Sequence, residues 1–325
     1  MRKHNLIQAK VDIFPLAQVF RISRGARTQA EVVSVVINRD NLIGHGECVP
    51  YARYNETSES VIQQIESLPS NIDRKALQNT LPAGAARNAV DCALWDLECK
   101  RLNQPCWQLA GIQMPKELIT AYTLSLDEPE NMLKQAENNS TRPLLKIKLG
   151  TPNDMPRLEA VRKGAPNSKI IVDANEGWTA ETYTKLAPDL VRLGVKLVEQ
   201  PLPADKDDAL IGLPRPLPIC ADESCHDRSS LPKLIGKYDF VNIKLDKTGG
   251  LTEALYLKNK ALEDGFKIMV GCMVGSSLAM APATLIAQNA TFVDLDGPLL
   301  LAQDRDHGLF YDESWIYPPE KELWG

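Results

Sequence analysis

Residues 144–150 read LLKIKLG, a run as apolar as a buried strand that nonetheless carries two lysines, Lys146 and Lys148. Alternate side chains of a strand share a face, so both amines project from one side while Leu145, Ile147 and Leu149 project from the other. Neighbouring ammonium groups disfavour each other's charge, and burial does the same, so such a strand has the means to turn a lysine into a base. The other reading is an edge strand whose lysines block pairing with a second chain. The surrounding sequence decides between them.

From residue 117 onward, short apolar runs alternate with longer amphipathic stretches: LITAYTL, LLKIKL, KIIVDAN, VKLVEQ, LPICADE, FVNIKLD, FKIMVGC and FVDLDG. Their polar tails fall at Lys148, Asp173, Glu199, Asp222, Lys244, Cys272 and Asp296, so successive tails are 22 to 28 residues apart. That spacing is one strand plus one crossover helix. Eight such units in roughly 180 residues predict a closed parallel barrel, and the glycine-rich turn that follows the first strand of a doubly wound sheet is missing. Two intervening stretches, TAETYTKLAPDLVRLG and TEALYLKNKALEDG, each open at a threonine and close at a glycine, as helices do.

The first 115 residues have a different grain. AQVFRISRGARTQAEVVSVVINRDNLIGHGECVP alternates as strands do, with a turn at Asp40-Asn41, whereas ETSESVIQQIESL and GAARNAVDCALWDLECKRL are helical. The second helix presents Ala86, Val90, Ala93, Leu94 and Leu97 as a core face. The fold expected is α/β: an α+β capping domain over residues 1–115, a modified (β/α)7β barrel of the TIM type over 116–300, and a segment over 301–325 that runs back toward the cap.

Composition narrows the partners. The chain has 325 residues, 44% hydrophobic and 24% charged, enough for one large domain and a smaller one. A net charge of -5 without a dense basic run argues against nucleic acid and for a small-molecule partner. The stretch MRKHNLIQAKVDIFP has positive charge but no apolar core of an export signal, and no segment reaches the length of a membrane span, so a soluble, cytoplasmic protein is expected, without a membrane partner. A homo-oligomer is compatible with the sequence, which does not set the oligomeric state. Seven cysteines without a C-x-x-C pair fit a reducing compartment, and Cys92 and Cys99 sit at helical spacing where packing explains them.

In a barrel of this kind the C-terminal ends of the strands converge on one mouth. Asp173, Glu199 and Asp222 end three successive strands, which brings three mutually repelling carboxylates together. Any one of them could be a helix N-cap. Three in succession point instead to a bound cation, and hard oxygen ligands without histidine or cysteine favour Mg²⁺. Lys148 and Lys244 flank the acids in sequence and would approach the mouth from opposite sides of a metal. His45 and His226 have no carboxylate spacing that suggests a triad and are read as structural.

The motifs KIK, VDANEGW, EQPLP, ADES and NIKLDKTGGL, in this order and spacing, resemble the enolase superfamily, specifically its muconate lactonizing enzyme subgroup. The final DLD and the cap's LPAGAARNAVDCALWDL resemble the dipeptide epimerases of that subgroup. The resemblance covers nearly the whole chain. It implies an isomerase in which Asp173, Glu199 and Asp222 bind magnesium and Lys148 and Lys244 are the two acid/base lysines, serving the L and D configurations respectively. It further implies that Lys146 is a helper that keeps its neighbour's pKa low and touches the substrate carboxylate, that Asn175 and Glu223 support the metal, and that Asp246 orients Lys244.

The reaction so implied is Mg-assisted 1,1-proton transfer at the α-carbon of a dipeptide's C-terminal residue. L-Ala-D-Glu and L-Ala-L-Glu, fragments of peptidoglycan and its recycling, are the expected substrates. Asp294 and Asp296 share a face at the last strand's tip and would hold the N-terminal ammonium. Arg24, in a cap loop, would grip the glutamate side chain, with Arg27 and Arg53 as competing candidates. Two other readings are an o-succinylbenzoate synthase or N-succinylamino acid racemase of the same subgroup, which the DLD tip disfavours because an acylated substrate has no ammonium, and a non-catalytic barrel binding protein, which the intact lysines and acids disfavour.

Overall fold

The computed structural model describes residues 6–151 and 153–325; the first five residues of the stretch read for an export signal lie outside them. The chain opens with three antiparallel strands, β1 (Leu6–Ile22), β2 (Gly25–Arg39) and β3 (Leu42–Cys48), in the order β1-β2-β3. The β2–β3 turn is made at Asp40-Asn41, both at positive φ (51° and 65°), the conformation a two-residue hairpin requires. Three helices follow: α1 (Ser58–Glu66), capped by Thr57, α2 (Arg74–Thr80), capped by Asp73, and α3 (Ala85–Leu102). Ala86, Val90, Ala93, Leu94 and Leu97 of α3 are buried against Val33, Val35 and Ile37 of β2, as expected. The helix lies so close to β3 that a Cβ on Gly44 or Gly46 would come within 2.1 or 2.0 Å of a carbonyl oxygen of Ala93 or Ala89.

A short helix, α4 (Cys106–Leu109), and a bridge strand, β4 (Leu118–Ile119), lead into the barrel. Its strands are β5 (Tyr122–Leu124), β6 (Leu144–Lys148), β7 (Lys169–Asp173), β8 (Val195–Glu199), β9 (Ile219–Ala221), β10 (Phe240–Ile243), β11 (Lys267–Gly271) and β12 (Phe292–Asp294). They are hydrogen-bonded in chain order, each pair parallel. Ala121 N donates to Val293 O at 2.8 Å beside the first and last strands. The helices between are α5 (Pro129–Asn138), α6 (Met155–Gly164), α7 (Ala180–Arg192), α8 (Leu231–Leu234), α9 (Leu245–Thr248), α10 (Leu251–Glu263) and α11 (Ser277–Ala287).

Two-residue alternation builds the barrel's interior. Ala121, Leu144, Ile171, Leu197, Cys220, Phe240 and Met269 form one apolar plug. Two positions further along the same strands stand Lys146, Asp173, Glu199, Asp222 and Asn242, a buried polar layer above it. The intervening Leu145, Ile147, Ile170, Val172 and Val198 face outward into the core shared with the helices. All five residues of β6 are buried between β5 and β7, so the lysines of LLKIK lie on an interior strand rather than on an edge.

The crossovers are less uniform than their spacing suggests. Between β8 and β9 there is one 3₁₀ turn, Asp207–Leu210, and between β9 and β10 a 3₁₀ turn, Arg228–Ser230, followed by the single turn of α8. The first of these connections is rich in prolines, Pro201, Pro203, Pro214, Pro216 and Pro218, which lack the N–H that a helix interior needs. Helix α7 is capped by Thr179 as its sequence indicates, but α10 begins at Leu251 with Gly250 in the N-cap position rather than at Thr252. The Thr252 amide and hydroxyl are taken by the Asp91 carboxylate of α3, which docks the cap onto the barrel.

The last residues form β13 (Tyr311–Asp312) and β14 (Trp315–Ile316), the latter pairing with β4. Several contacts carry this segment to the amino-terminal elements. Arg305 is 2.7 Å from Glu47 of β3 and 3.0 Å from Asp12 of β1, and Trp324 Nε1 donates to Cys92 O. All seven cysteines are free, with Cys92 and Cys99 buried in the core. Among the described residues no helix is long and apolar enough to cross a membrane.

Candidate active site

The polar layer of the barrel is a closed arrangement of acids and amines. One carboxylate oxygen from each of Asp173, Glu199 and Asp222 lies within 4.8 Å of the others, and all three residues are buried. Each acid is held from outside the triad. The Asn175 amide donates to Asp173 Oδ1 at 2.9 Å, Asn242 Nδ2 to Glu199 Oε1 at 2.7 Å, and Lys247 Nζ to Asp222 Oδ1 at 2.6 Å. The inner oxygens face lysines: Asp173 Oδ2 is 2.6 Å from Lys148 and 3.1 Å from Lys146, Glu199 Oε2 is 2.6 Å from Lys146, and Asp222 Oδ2 is 2.7 Å from Lys244.

The order of strands fixes the directions. β6 and β10 are four strands apart in an eight-stranded ring, and the three acids belong to the strands between them. Lys148 therefore meets the acid row at its Asp173 end and Lys244 at its Asp222 end, while Lys146 reaches its middle from below. Three hard carboxylate oxygens in one buried cluster, with the carbonyl oxygen of the Asn175 side chain and Glu223 Oε2 buried nearby without partners, suit an oxygen-preferring cation.

Charge at this centre is strongly coupled. Burial acts to raise the Asp222 carboxyl, but Lys244 and Lys247 outweigh it and hold it well below the usual range. Asp173 is lowered in the same way by Lys148 and Lys146. Glu199, with burial and Asp173 against it and Lys146 in its favour, is pushed up to about 7. Burial alone would lower the amines of Lys146 and Lys244; surrounding carboxylates reverse this and hold both well above the ordinary lysine value.

Above the layer lies a cavity of about 490 Å³. Lys148, Lys244, Asp222, Glu223 and Asn175 line its floor; Phe20, Ile22, Arg24 and Arg27 come from the β1–β2 hairpin, Tyr51, Arg53 and Tyr54 from the loop after β3, and Met273 and Val274 from the loop after β11. Both amines expected to handle protons thus open into one space, roofed by the cap.

Several expectations need revision. Asp246 does not orient Lys244: its Oδ1 accepts from Val49 N at 3.0 Å and Asn88 Nδ2 at 2.8 Å, because the single turn of α9 swings it toward the cap. Lys146 is fully buried among Asp173, Glu199 and Asp294, at 3.1, 2.6 and 2.7 Å. Asp294 and Asp296 are both buried at the β12 tip, but Asp294 Oδ2 is bound by Lys146 at 2.7 Å and Asp296 Oδ2 accepts from Thr123 N at 2.6 Å. Asp294 Oδ1 is buried without a partner, and burial and Asp294 push the Asp296 carboxyl up to about 7. Asn175 donates its backbone amide to Asp173, and Glu223 follows Asp222 in the chain.

Lys247 and Asn242 were missed. Both lie inside the NIKLDKTGGL motif, whose only lysine singled out was Lys244. The signal was the Gly249-Gly250 pair: it ends α9 after one turn, with Gly249 at φ 73°, and returns Lys247 beneath β10, where its Nζ also donates to the carbonyls of Asp222 and Asn242.

The sequence family described as "Enolase C-terminal domain-like" matches residues 131–316, and the one described as "Mandelate racemase / muconate lactonizing enzyme, N-terminal domain" matches residues 8–111. The chain is 47% identical over 312 residues to the L-Ala-D/L-Glu epimerase of Escherichia coli (strain K12), covering 94% of this chain and 97% of that protein. It is 46% identical over 300 residues to the N-acetyl-D-glutamate racemase of a Pseudoalteromonas species, covering 90% and 95%. A crystal structure of an enolase family member from Agrobacterium tumefaciens with homology to dipeptide epimerases, holding sodium and L-Ala-L-Glu with an ordered loop, superposes with a TM-score of 0.97 at 51% identity, covering 98% of this chain and 99% of that one.

Proposed function

This chain belongs to the mandelate racemase/muconate lactonizing enzyme branch of the enolase superfamily, and on that premise we propose that it is an isomerase that inverts the α-carbon of the C-terminal residue of a dipeptide, L-Ala-D-Glu and L-Ala-L-Glu foremost. The observation that carries the reading is the pair of amines, Lys148 and Lys244, meeting the acid row from its two ends and opening into one cavity. An α-proton beside a carboxylate is weakly acidic because its removal adds a second negative charge. A divalent cation, Mg²⁺ by its preference for oxygen, held by Asp173, Glu199 and Asp222, would supply the positive field that offsets both this charge and that of the carboxylates themselves.

The remaining work falls to side chains of this chain. Lys148 Nζ removes the α-proton from the L substrate while Lys244 Nζ, as an ammonium, delivers one to the opposite face; the D substrate reverses the roles. Lys146 and Lys247 keep the acid row nearly neutral and fixed in position, and the apolar side chains of Phe20 and Ile22 from the cap and Val274 from the barrel exclude water from the reacting carbon. Asp294 Oδ1, buried and without a partner at the β12 tip, supports recognition of a free N-terminal ammonium. Turnover of cell-wall peptides would be the setting of such an activity.

The near-equal identity to a racemase of an N-acetylated amino acid keeps a second reading, racemisation of N-acyl-glutamate. Both are tested by incubating the protein with Mg²⁺ in D₂O and following deuterium at the α-carbon by mass spectrometry. Exchange and inversion with L-Ala-L-Glu and L-Ala-D-Glu are expected; exchange only with N-acetyl-glutamate would replace the first reading by the second.

A further inference from the structure

Several buried side-chain oxygens without a hydrogen-bond partner, among them those of Asn175, Asn242 and Glu223, surround the acid row, as suits a cation. The unpartnered nitrogens lie elsewhere. Among the described residues, every buried side-chain nitrogen without an acceptor belongs to Arg39 at the end of β2 or to Arg74 at the start of α2: Nε and Nη2 of the first, Nε of the second. A guanidinium stays protonated in a protein, so these donors cannot be relieved by losing a proton. Folded proteins rarely leave such groups unpaired.

Both arginines line a cleft of about 1020 Å³ that shares no residue with the catalytic cavity. It lies on the seam between cap and barrel: the β2–β3 turn, α2 and α3 form one side, and Arg228, Thr252 and Tyr256 the other. Its five cationic side chains outnumber its three acidic ones, in a chain whose net charge is -5. Two of the acids are already engaged: Glu98 accepts from Arg74 Nη2 at 2.7 Å, and Asp73 Oδ1 caps α2 by accepting from Ala76 N at 2.7 Å. Burial lowers the pKa of the Arg39 guanidinium, and the more distant pull of Asp73 and Glu98 does not restore it.

We propose that this cleft is a binding site for a small oxyanion, a phosphate or a carboxylate group, held by Arg39 and Arg74. Nε and Nη2 lie on one edge of a guanidinium and form a fork for two oxygens of one anion. Arg53 uses the same two nitrogens on Glu176, both at 2.9 Å. On Arg39 this fork is buried and has no protein acceptor. Arg74 adds its Nε, while its Nη2 stays on Glu98 and its guanidinium carbon lies 3.7 Å from the centre of the Trp95 ring, which fix its plane. The cleft exists only in the folded chain with cap and barrel docked, so an anion bound there stabilises that state by mass action.

The test is thermal unfolding of the holoenzyme with Mg²⁺ in sodium phosphate, in sodium succinate and in sodium chloride of the same ionic strength. Phosphate, succinate or both should raise Tm by about 2 °C or more beyond chloride; a response to one alone identifies that group as the ligand's. Arg39→Met should abolish the shift and Arg74→Met should reduce it, whereas Arg27→Met, which alters the catalytic cavity instead, should leave it intact. In chloride alone Arg39→Met should unfold at the wild-type temperature or above it, because the substitution removes a buried cation that no protein group pairs. That readout separates a ligand-binding arginine from a structural one. No shift beyond chloride with either anion, a shift kept by Arg39→Met or lost in Arg27→Met, or a lowered Tm of Arg39→Met in chloride would overturn the assignment.

Discussion

Lys247 Nζ is 2.6 Å from Asp222 Oδ1, on the side of the carboxylate away from the oxygen that meets Lys244. Both residues are buried, so the pair replaces contacts that water would otherwise make. Removing one partner of a buried pair leaves an uncompensated charge, which typically costs about 3–5 kcal/mol. Lys247→Met should therefore lower unfolding stability by that order in urea titrations, and adding Asp222→Asn should return part of the loss. Losses that simply add would show that the pair is not coupled.

Because two of the amines that offset the acid triad, Lys148 and Lys244, are ones the reaction needs free, activity should require a divalent cation. Chelation with EDTA is expected to bring epimerisation to background and Mg²⁺ to restore it, while Glu199→Gln should weaken Mg²⁺ binding in calorimetry by removing one of three charged oxygens. Full activity after exhaustive chelation would remove the metal from the account.

Asp246 makes cap docking sensitive to pH. Burial, with Glu56 and Glu47 adding repulsion against the hydrogen bonds from Val49 and Asn88, pushes its carboxyl up to about 7. A carboxyl raised above its unfolded value of about 3.9 contributes stability that is full below that value and is lost as pH rises through about 7. Asp246→Asn keeps the acceptor oxygen without the charge. Relative to wild type, this variant should gain on the order of 4 kcal/mol between pH 4 and pH 8 in denaturant titrations, whereas a constant offset across that range would place the charge elsewhere.

Gly46 bears the packing of α3 on β3. A methyl group there meets the Ala89 carbonyl at 2.0 Å, and neither the sheet nor the helix backbone has room to yield cheaply. Gly46→Ala should destabilise the protein by about 1–3 kcal/mol, read as a lower urea midpoint; a neutral result would mean that the cap helix shifts freely.

Much of this was legible in the sequence, for a physical reason. Strand alternation has a period of two, so KIK places Lys146 and Lys148 in the barrel's interior once the eightfold spacing establishes a barrel, and VDAN, VEQ and ADE place their acids on adjacent strands. What was not legible depends on local geometry below that period. Asp246 and Lys247 follow Lys244 in a single helical turn, and whether each faces the cap or the metal site is set by the rotation of α9, not by spacing. Thr252 reads as a cap residue but is claimed by Asp91, 161 positions away in the chain. Arg24 and Arg27 are alike as letters in one hairpin; the structure separates them only by contacts, since Arg24 donates to Glu176 and Glu223.

The central claim is that two lysines serve opposite faces of one carbon. It is tested most directly by α-proton exchange of each epimer in D₂O with Lys148→Ala and Lys244→Ala, monitored by mass spectrometry and chiral separation. The account predicts complementary failures: neither variant inverts, Lys148→Ala no longer exchanges the L epimer, and Lys244→Ala no longer exchanges the D epimer. Inversion by both variants, or loss of the same epimer's exchange in both, would contradict it.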